Sequence, residues 1–186
     1  MNYKIEKILK SDFPEKLKNI RKSPEKLYAI GNTKLLFKDS FAIIGTRKIT
    51  EYGIKNCENF SKEFVLRDIP IVSGMATGTD SIAHKTALFY GGETIAVLGS
   101  GFKHIYPGEN IELFEKIINN GGLVITEYEY NVEPIKKNFP KRNRIISALS
   151  EGVLIIEAAY RSGTSITAKW AYSQGKKVFA LPRKTR

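Results

Sequence analysis

The chain has 186 residues, 42% hydrophobic and 26% charged, an ordinary balance for one globular α/β domain with a single sizeable core. Thirty Lys plus Arg against nineteen Asp plus Glu leave a net charge of +11, which attracts polyanions such as nucleic acid or an anionic surface and is equally compatible with an inert basic exterior. No apolar run approaches the ~20 residues needed to span a bilayer, lysines break up the N-terminal MNYKIEKILKSD, and Cys57 is alone, so a cytoplasmic protein is expected, with no secretory signal, membrane association, intramolecular disulfide or thiolate metal site.

Residues 1–40 come first, lysine-rich and punctuated by Pro14, Pro24 and Gly31, with apolar anchors in KLYAIGN. They read as an N-terminal extension laid against the core that residues 41–186 form. Six short apolar runs rich in Ile and Val follow: FAIIG (41–45), IPIVSG (69–74), TIAVLG (94–99), GLVITE (122–127), GVLIIEA (152–158) and KVFALP (177–182). Runs of that kind mark strands buried on both faces. Helical segments are expected between them, at about 50–67, 79–90, 109–120, 141–150 and 163–175. Strand and helix in alternation predict an α/β fold with a doubly wound, mostly parallel sheet.

Ligands of open parallel sheets bind beyond the carboxyl ends of the strands. Taken in order, the loops on that edge are GTRK from Gly45, SGMATGTD, GSGFKHIYPG, EYEYNVEPIKKNFPKRNR and EAAYRSGTSITA. Glycine-spaced loops and most clustered cations fall there, whereas the opposite turns, such as LRD, YGG and INNGG, are short and have no such concentration. Two helix starts on this edge stand out. In NFPKRNRIISAL, Pro140 marks a helix start followed by the apolar stripe Ile145, Ala148 and Leu149, so Lys141, Arg142 and Arg144 crowd a positive helix end, where each typically costs ~0.3 to 1 kcal/mol. In RSGTSITA, Ser162, Gly163, Thr164 and Ser165 open a helix with no acid in its first turn. An ordinary start, by contrast, has Thr50 as N-cap and Glu51 to complement the dipole. Phosphate resolves both anomalies, since it accepts the unpaired N–H groups and neutralises the cations. On this reading Arg142 or Arg144 is dispensable for stability and needed for binding.

Which phosphate compound is a separate question. Neither glycine cluster is followed by Gly-Lys-Ser/Thr, and His104 stands where G-x-G-x-x-G needs its last glycine, so the Walker A and dinucleotide readings weaken. Five cations lie between Lys136 and Arg144 without an acid, and Phe139 sits among them. That arrangement suits a single strand with a stacked base, or else Phe139 anchors the loop in the core. Catalytic groups are sparse. Asp80 and His84 share a helix face at i, i+4 and suit surface hydrogen bonding, His104 is within reach of an anion, and Glu157 is expected to accept loop N–H groups, with acid/base chemistry as the minority reading. No metal site, cofactor or catalytic residue is assigned.

The chain resembles the DNA-processing protein A (DprA, or Smf) family. The likeness runs from about Phe13 to Leu181 through FPEKLKNIRKSPEKLYAIGN, AIIGTRKITEYG, IVSGMATGTDSIAH, TIAVLGSGFKHIYPGEN, FPKRNRIISALS and EAAYRSGTSITA. The resemblance implies an extended Rossmann-like fold that binds single-stranded DNA, protects it and assists a RecA-type recombinase during natural transformation. It implies a pocket at Arg47, Ser73, Gly74, Lys136, Phe139, Arg142, Asn143, Arg144, Ser162, Gly163 and Thr164, to which the edge reading adds Gly45 and Lys141. Because the chain stops at Arg186, short of the family's dimerising segment, a homodimer weakened at that end is expected. Alternative functions are a LOG-like nucleoside-monophosphate phosphoribohydrolase and a nucleotide-sensing Rossmann protein. The hydrolases carry a PGGxGTxxE loop, and this chain has no acid three residues past its Gly-Thr.

Overall fold

A computed structural model describes residues 3–158 and 162–182. Among them, eight strands form one sheet in the order β1-β2-β6-β5-β4-β3-β7-β8. These are β1 (Glu6–Leu9), β2 (Lys26–Gly31), β3 (Ser40–Ile44), β4 (Ile71–Ser73), β5 (Thr94–Val97), β6 (Leu123–Thr126), β7 (Ser150–Ile155) and β8 (Lys177–Ala180). The six expected strands are β3 to β8, and every pairing among them is parallel. Strands β3 to β7 are built from the Ile, Val and Leu runs and are almost entirely buried, as strands sandwiched between two helix layers must be.

The N-terminal segment does more than lie against the core. β2 pairs antiparallel with β6, with Tyr28 opposite Thr126 and Ile30 opposite Val124, and β1 pairs antiparallel with β2. The sheet therefore continues from β6 into the N-terminal segment through β2 and β1. Between β1 and β2, the one-turn helix α1 (Glu15–Lys18) buries Leu17 in the main core.

The remaining helices are α2 (Glu51–Val65), α3 (Thr79–Phe89), α4 (Ile111–Asn119), α5 (Asn138–Leu149) and α6 (Gly163–Ser173). Helices α2 and α3 bury Cys57, Val65, Ala83 and Ala87 in one cluster, α4 buries Leu113, Phe114 and Ile117 in a second, and α5 and α6 bury Ile145, Ile146, Ala148, Leu149 and Ala171 in the third. Two helix starts are displaced from expectation. A 3-10 turn, Gly108–Asn110, precedes α4, and α5 begins at Asn138, three residues early. Pro140 thereby falls inside the first turn of α5, where a backbone N–H would have no helical partner in any case. Burial pushes the Cys57 thiol up to about 12, consistent with packing rather than reactivity. No helix among the described residues is long and apolar enough to cross a membrane.

The chain runs from β3 outward through β4, β5 and β6, then returns to place β7 on the other side of β3. The strand order reverses between β3 and β7, which opens a crevice beyond their carboxyl ends.

Candidate functional site

That crevice is occupied by an open cavity of about 660 Å³. Each of the five parallel strands from β3 to β7 contributes the loop that follows it. Gly45, Thr46 and Arg47 come from β3, Ala76 and Asp80 from β4, Tyr106 from β5, Pro134, Lys136, Phe139 and Arg142 from β6, and Ser162 to Thr164 from β7. Hydrogen bonds between neighbouring loops set the shape. Thr79 Oγ1 donates to the Thr46 carbonyl at 3.1 Å, Thr164 Oγ1 donates to the Gly45 carbonyl at 3.1 Å, and Asn143 Nδ2 donates to the Gly163 carbonyl at 3.2 Å.

Loop 74–78 is ordered by Asp80. Its carboxylate accepts from the backbone N–H groups of Gly74 and Ala76, at 3.1 and 3.2 Å. A Cβ on Gly74 would lie 2.7 Å from Asp80 Oδ2 and 2.8 Å from Arg142 Nη2, so only glycine lets the acid and the guanidinium flank the same backbone. Arg142 donates through Nη1 to the carbonyls of Gly74, at 2.6 Å, and Val97, and through Nε to Asn143 Oδ1 at 3.1 Å. Burial lowers its pKa to about 10, against the opposing charge of Asp80, which leaves it protonated at neutral pH. Burial likewise pushes the Asp80 carboxyl up, opposed by Arg142 and the loop N–H groups. Phe139 is half-buried over this arginine, its ring 5.8 Å from the guanidinium carbon and 5.6 Å from the ring of Tyr106. Its ring packs on Gly99, as a loop anchor would, and also lines the cavity.

Both anomalous helix starts open onto this cavity. Neither α5 nor α6 has an acid in its first turn or a side-chain cap hydrogen bond, and Ser162 Oγ is buried without a partner among the described residues. By contrast, Thr50 caps α2 at Gly53 N–H. Two uncapped positive helix ends thus share a hollow with Arg142 and with the exposed Arg47 and Lys136, neither of which is in an ion pair among the described residues. Such a hollow combines the positive helix ends and cations that anion sites use.

Other expected members lie elsewhere. Arg144 is 1% exposed and turned into the core, where it pairs with Glu127 and donates to the carbonyls of Lys22 and Lys141, each at 2.7 Å. Lys141 Nζ lies 2.9 Å from the other oxygen of Glu127. The basic run is therefore not free of acid: its carboxylate arrives from the end of β6, and Arg144 serves architecture in place of phosphate. Ser73 is also off the cavity, its hydroxyl buried and donating to the Ile43 carbonyl at 2.6 Å. Gly74 lines a small side recess of about 50 Å³ beside Arg47 and Phe139. Arg161, in the expected phosphate loop, lies outside the described residues.

Of the catalytic candidates, Asp80, Glu157 and His84 are engaged, and His104 does not line the cavity. Glu157 accepts from Thr50, N–H at 3.0 Å and Oγ1 at 2.5 Å, so it receives a loop N–H as expected, but at the start of α2. His84 does not bond Asp80 on a helix surface. It is fully buried, with Nδ1 2.7 Å from Thr94 Oγ1, and burial together with the charge of Arg142 pushes its pKa down to about 3. The Thr94 hydroxyl donates to the Ile71 carbonyl, so it accepts from a neutral His84. Two contributors escaped the sequence reading: Tyr106, visible as an aromatic in an edge loop, and Glu127, whose link to Arg144 has no local signal.

The family model for DNA recombination-mediator protein A matches residues 4–186. Protein Smf of Escherichia coli (strain K12) is 41% identical over 170 residues, 91% of this chain and 46% of that protein. DNA processing protein DprA of Streptococcus pneumoniae is 41% identical over 175 residues, covering 94% and 61%. The chain spans about half the length of the curated relatives it matches. Among solved structures, DNA processing protein A from Streptococcus pneumoniae superposes with a TM-score of 0.90 at 39% identity, covering 97% of this chain and 64% of that one. DNA processing protein A from Helicobacter pylori, described for its single-stranded DNA binding mode, gives 0.90 at 34% identity, covering 99% and 83%. A molybdenum cofactor binding protein from Rippkaea orientalis, at 18% identity and a TM-score of 0.58, shares the fold alone.

Proposed function

The chain belongs to the DNA recombination-mediator protein A family, and from that premise we propose that its carboxyl-edge cavity binds single-stranded DNA. One observation carries the reading: two helix starts without acid or cap meet in a hollow lined by Arg47, Lys136 and Arg142 and edged by Phe139 and Tyr106. The helix ends and cations suit phosphates, and the aromatic edge suits an unpaired base. A single strand offers both at once, whereas a duplex keeps its bases stacked inward. The strand-binding relative from Helicobacter pylori supports the same assignment.

Family membership supports a wider role in which the bound strand is protected and passed to a RecA-type recombinase in the cytoplasm during DNA processing. The chain acts in this role as a binder. Supporting that, Glu157, Asp80 and His84 are each committed to structural hydrogen bonds. The test is titration of labelled oligo-dT and of a blunt duplex at one salt concentration, alongside incubation with AMP. Tighter binding of oligo-dT, with no release of adenine, is expected. Equal affinity for the two DNAs, or adenine release lost in Glu157→Ala, overturns the reading.

A further inference from the structure

A second groove, of about 780 Å³, lies next to the strand cavity, and nothing so far accounts for it. We propose that it is a nucleobase subsite, taking an unpaired base of the same single strand after it leaves the first cavity; this rests on the strand-binding reading above.

Continuity is the first argument. Pro134 lines both hollows, and the consecutive residues Ile105 and Tyr106 line the groove and the cavity respectively. A strand passing Tyr106 and Pro134 therefore enters the groove directly. Its wall is aromatic: Tyr3 meets Phe114 edge-on at 5.8 Å, Phe102 tilts against Phe114 at 6.3 Å, and Tyr130 stands 52% exposed at the rim. Phe102 and Phe114 are buried and form the backing, so Tyr130 and the half-buried Tyr3 are the rings on which a base can stack, regardless of sequence. Charge is the second argument. Lys103 and His104 line the groove and no Asp or Glu does, while Glu129, next to Tyr130, is engaged by Lys26 and by the Tyr28 hydroxyl at 2.6 Å. A rim that carries the Lys103 charge and, among the described residues, no acid suits a phosphate-linked occupant better than an apolar peptide.

The floor is also pre-formed. Gly101 N–H donates to the Val132 carbonyl at 2.8 Å, and Lys103 N–H donates to the Tyr130 carbonyl at 3.0 Å. A Cβ on Gly101 would lie 2.0 Å from the Glu129 carbonyl oxygen, so the two loops lock together only around a glycine. Little ordering cost then falls on binding.

Oligo-dT of about four and about twelve nucleotides brackets the usual site size of a single-strand groove. Tyr130→Ala and Lys103→Gln, both at exposed positions, are expected to bind the longer strand about tenfold more weakly and the shorter one as wild type does. A 5-iodouracil strand bound to the wild-type protein should crosslink to Tyr130 or Tyr3 at one nucleotide position. If both variants bind both lengths like wild type while Phe139→Ala binds neither well, the groove assignment falls and the first cavity stands. If the wild type binds neither length, the strand reading fails and takes the subsite with it. Intact binding with altered self-association of Tyr130→Ala in light scattering gives the groove to a second copy, and the proposal is again wrong.

Discussion

Replacing Arg144 with glutamine removes the positive partner of a carboxylate that the fold keeps from water. Arg144 is 1% exposed, the Glu127 side chain is 7% exposed, and the guanidinium also serves the carbonyls of Lys22 and Lys141. Breaking a buried pair from one side typically costs ~3 to 5 kcal/mol, because the remaining charge is left desolvated. Lys141 stays 2.9 Å from Glu127 Oε1, so the lower end, about 3 kcal/mol, is expected. For a chain of this size that lowers Tm by about 6 to 12 °C. Single-strand binding by the folded variant should change little, since Arg144 does not line the cavity.

The pH dependence follows from Glu127. Burial by itself would push its carboxyl up, but the hydrogen bonds and charges of Arg144 and Lys141 outweigh burial and hold it below the ordinary carboxylate value. A depressed folded-state pKa adds stability above the unfolded value of ~4.3, and the contribution is lost as pH falls through the folded value. The gap between wild type and Arg144→Gln should thus be widest near neutral pH and should narrow below about pH 4. Urea denaturation of both proteins across that range, with oligo-dT titration at neutral pH, measures each part. An Arg144→Gln protein as stable as wild type but weak in DNA binding would refute the structural assignment and restore the phosphate role read from sequence.

Arg47→Ala and Lys136→Ala, both at exposed cavity positions, should each flatten the log-log salt dependence of oligo-dT binding by about 0.7, one phosphate's worth, with no change in melting. Phe139→Ala should weaken oligo-dT by ~1 to 3 kcal/mol, and a larger loss of stability than of affinity in the same variant would mean that the ring only anchors the loop against Gly99. Glu157→Ala should cost about 1 kcal/mol in urea denaturation, comparable to loss of a helix cap, with strand affinity unchanged, because its carboxylate serves Thr50.

How far the sequence discloses this molecule depends on whether the deciding contact is local. Five of the six parallel strands, β3 to β7, are legible because burial on both faces demands unbroken Ile and Val runs, whereas β8, read from the same pattern, is exposed along its whole length; the position of the site follows from the rule for strand ends. β1 and β2 are not legible in the same way: EKIL exposes three of its four residues, and KLYAIG alternates partly exposed with buried positions, as edge pairing allows. The basic helix start divides along the same line. Residues two apart on a helix point to different sides, so Arg142 and Arg144 could never have faced one ligand together. That much was available from spacing. What was not is that α5 buries Arg142 and Arg144 while leaving Lys141 exposed, so that each arginine has to find a partner or a cavity. Glu127, seventeen residues upstream of Arg144, takes Arg144 and Lys141. Arg142 alone turns to the crevice, held by two carbonyls with Asp80 beside Gly74, and its charge reinforces the uncapped helix ends there. Cations at a positive helix end therefore have two explanations within a single turn, and burial, more than charge, decides which applies to each.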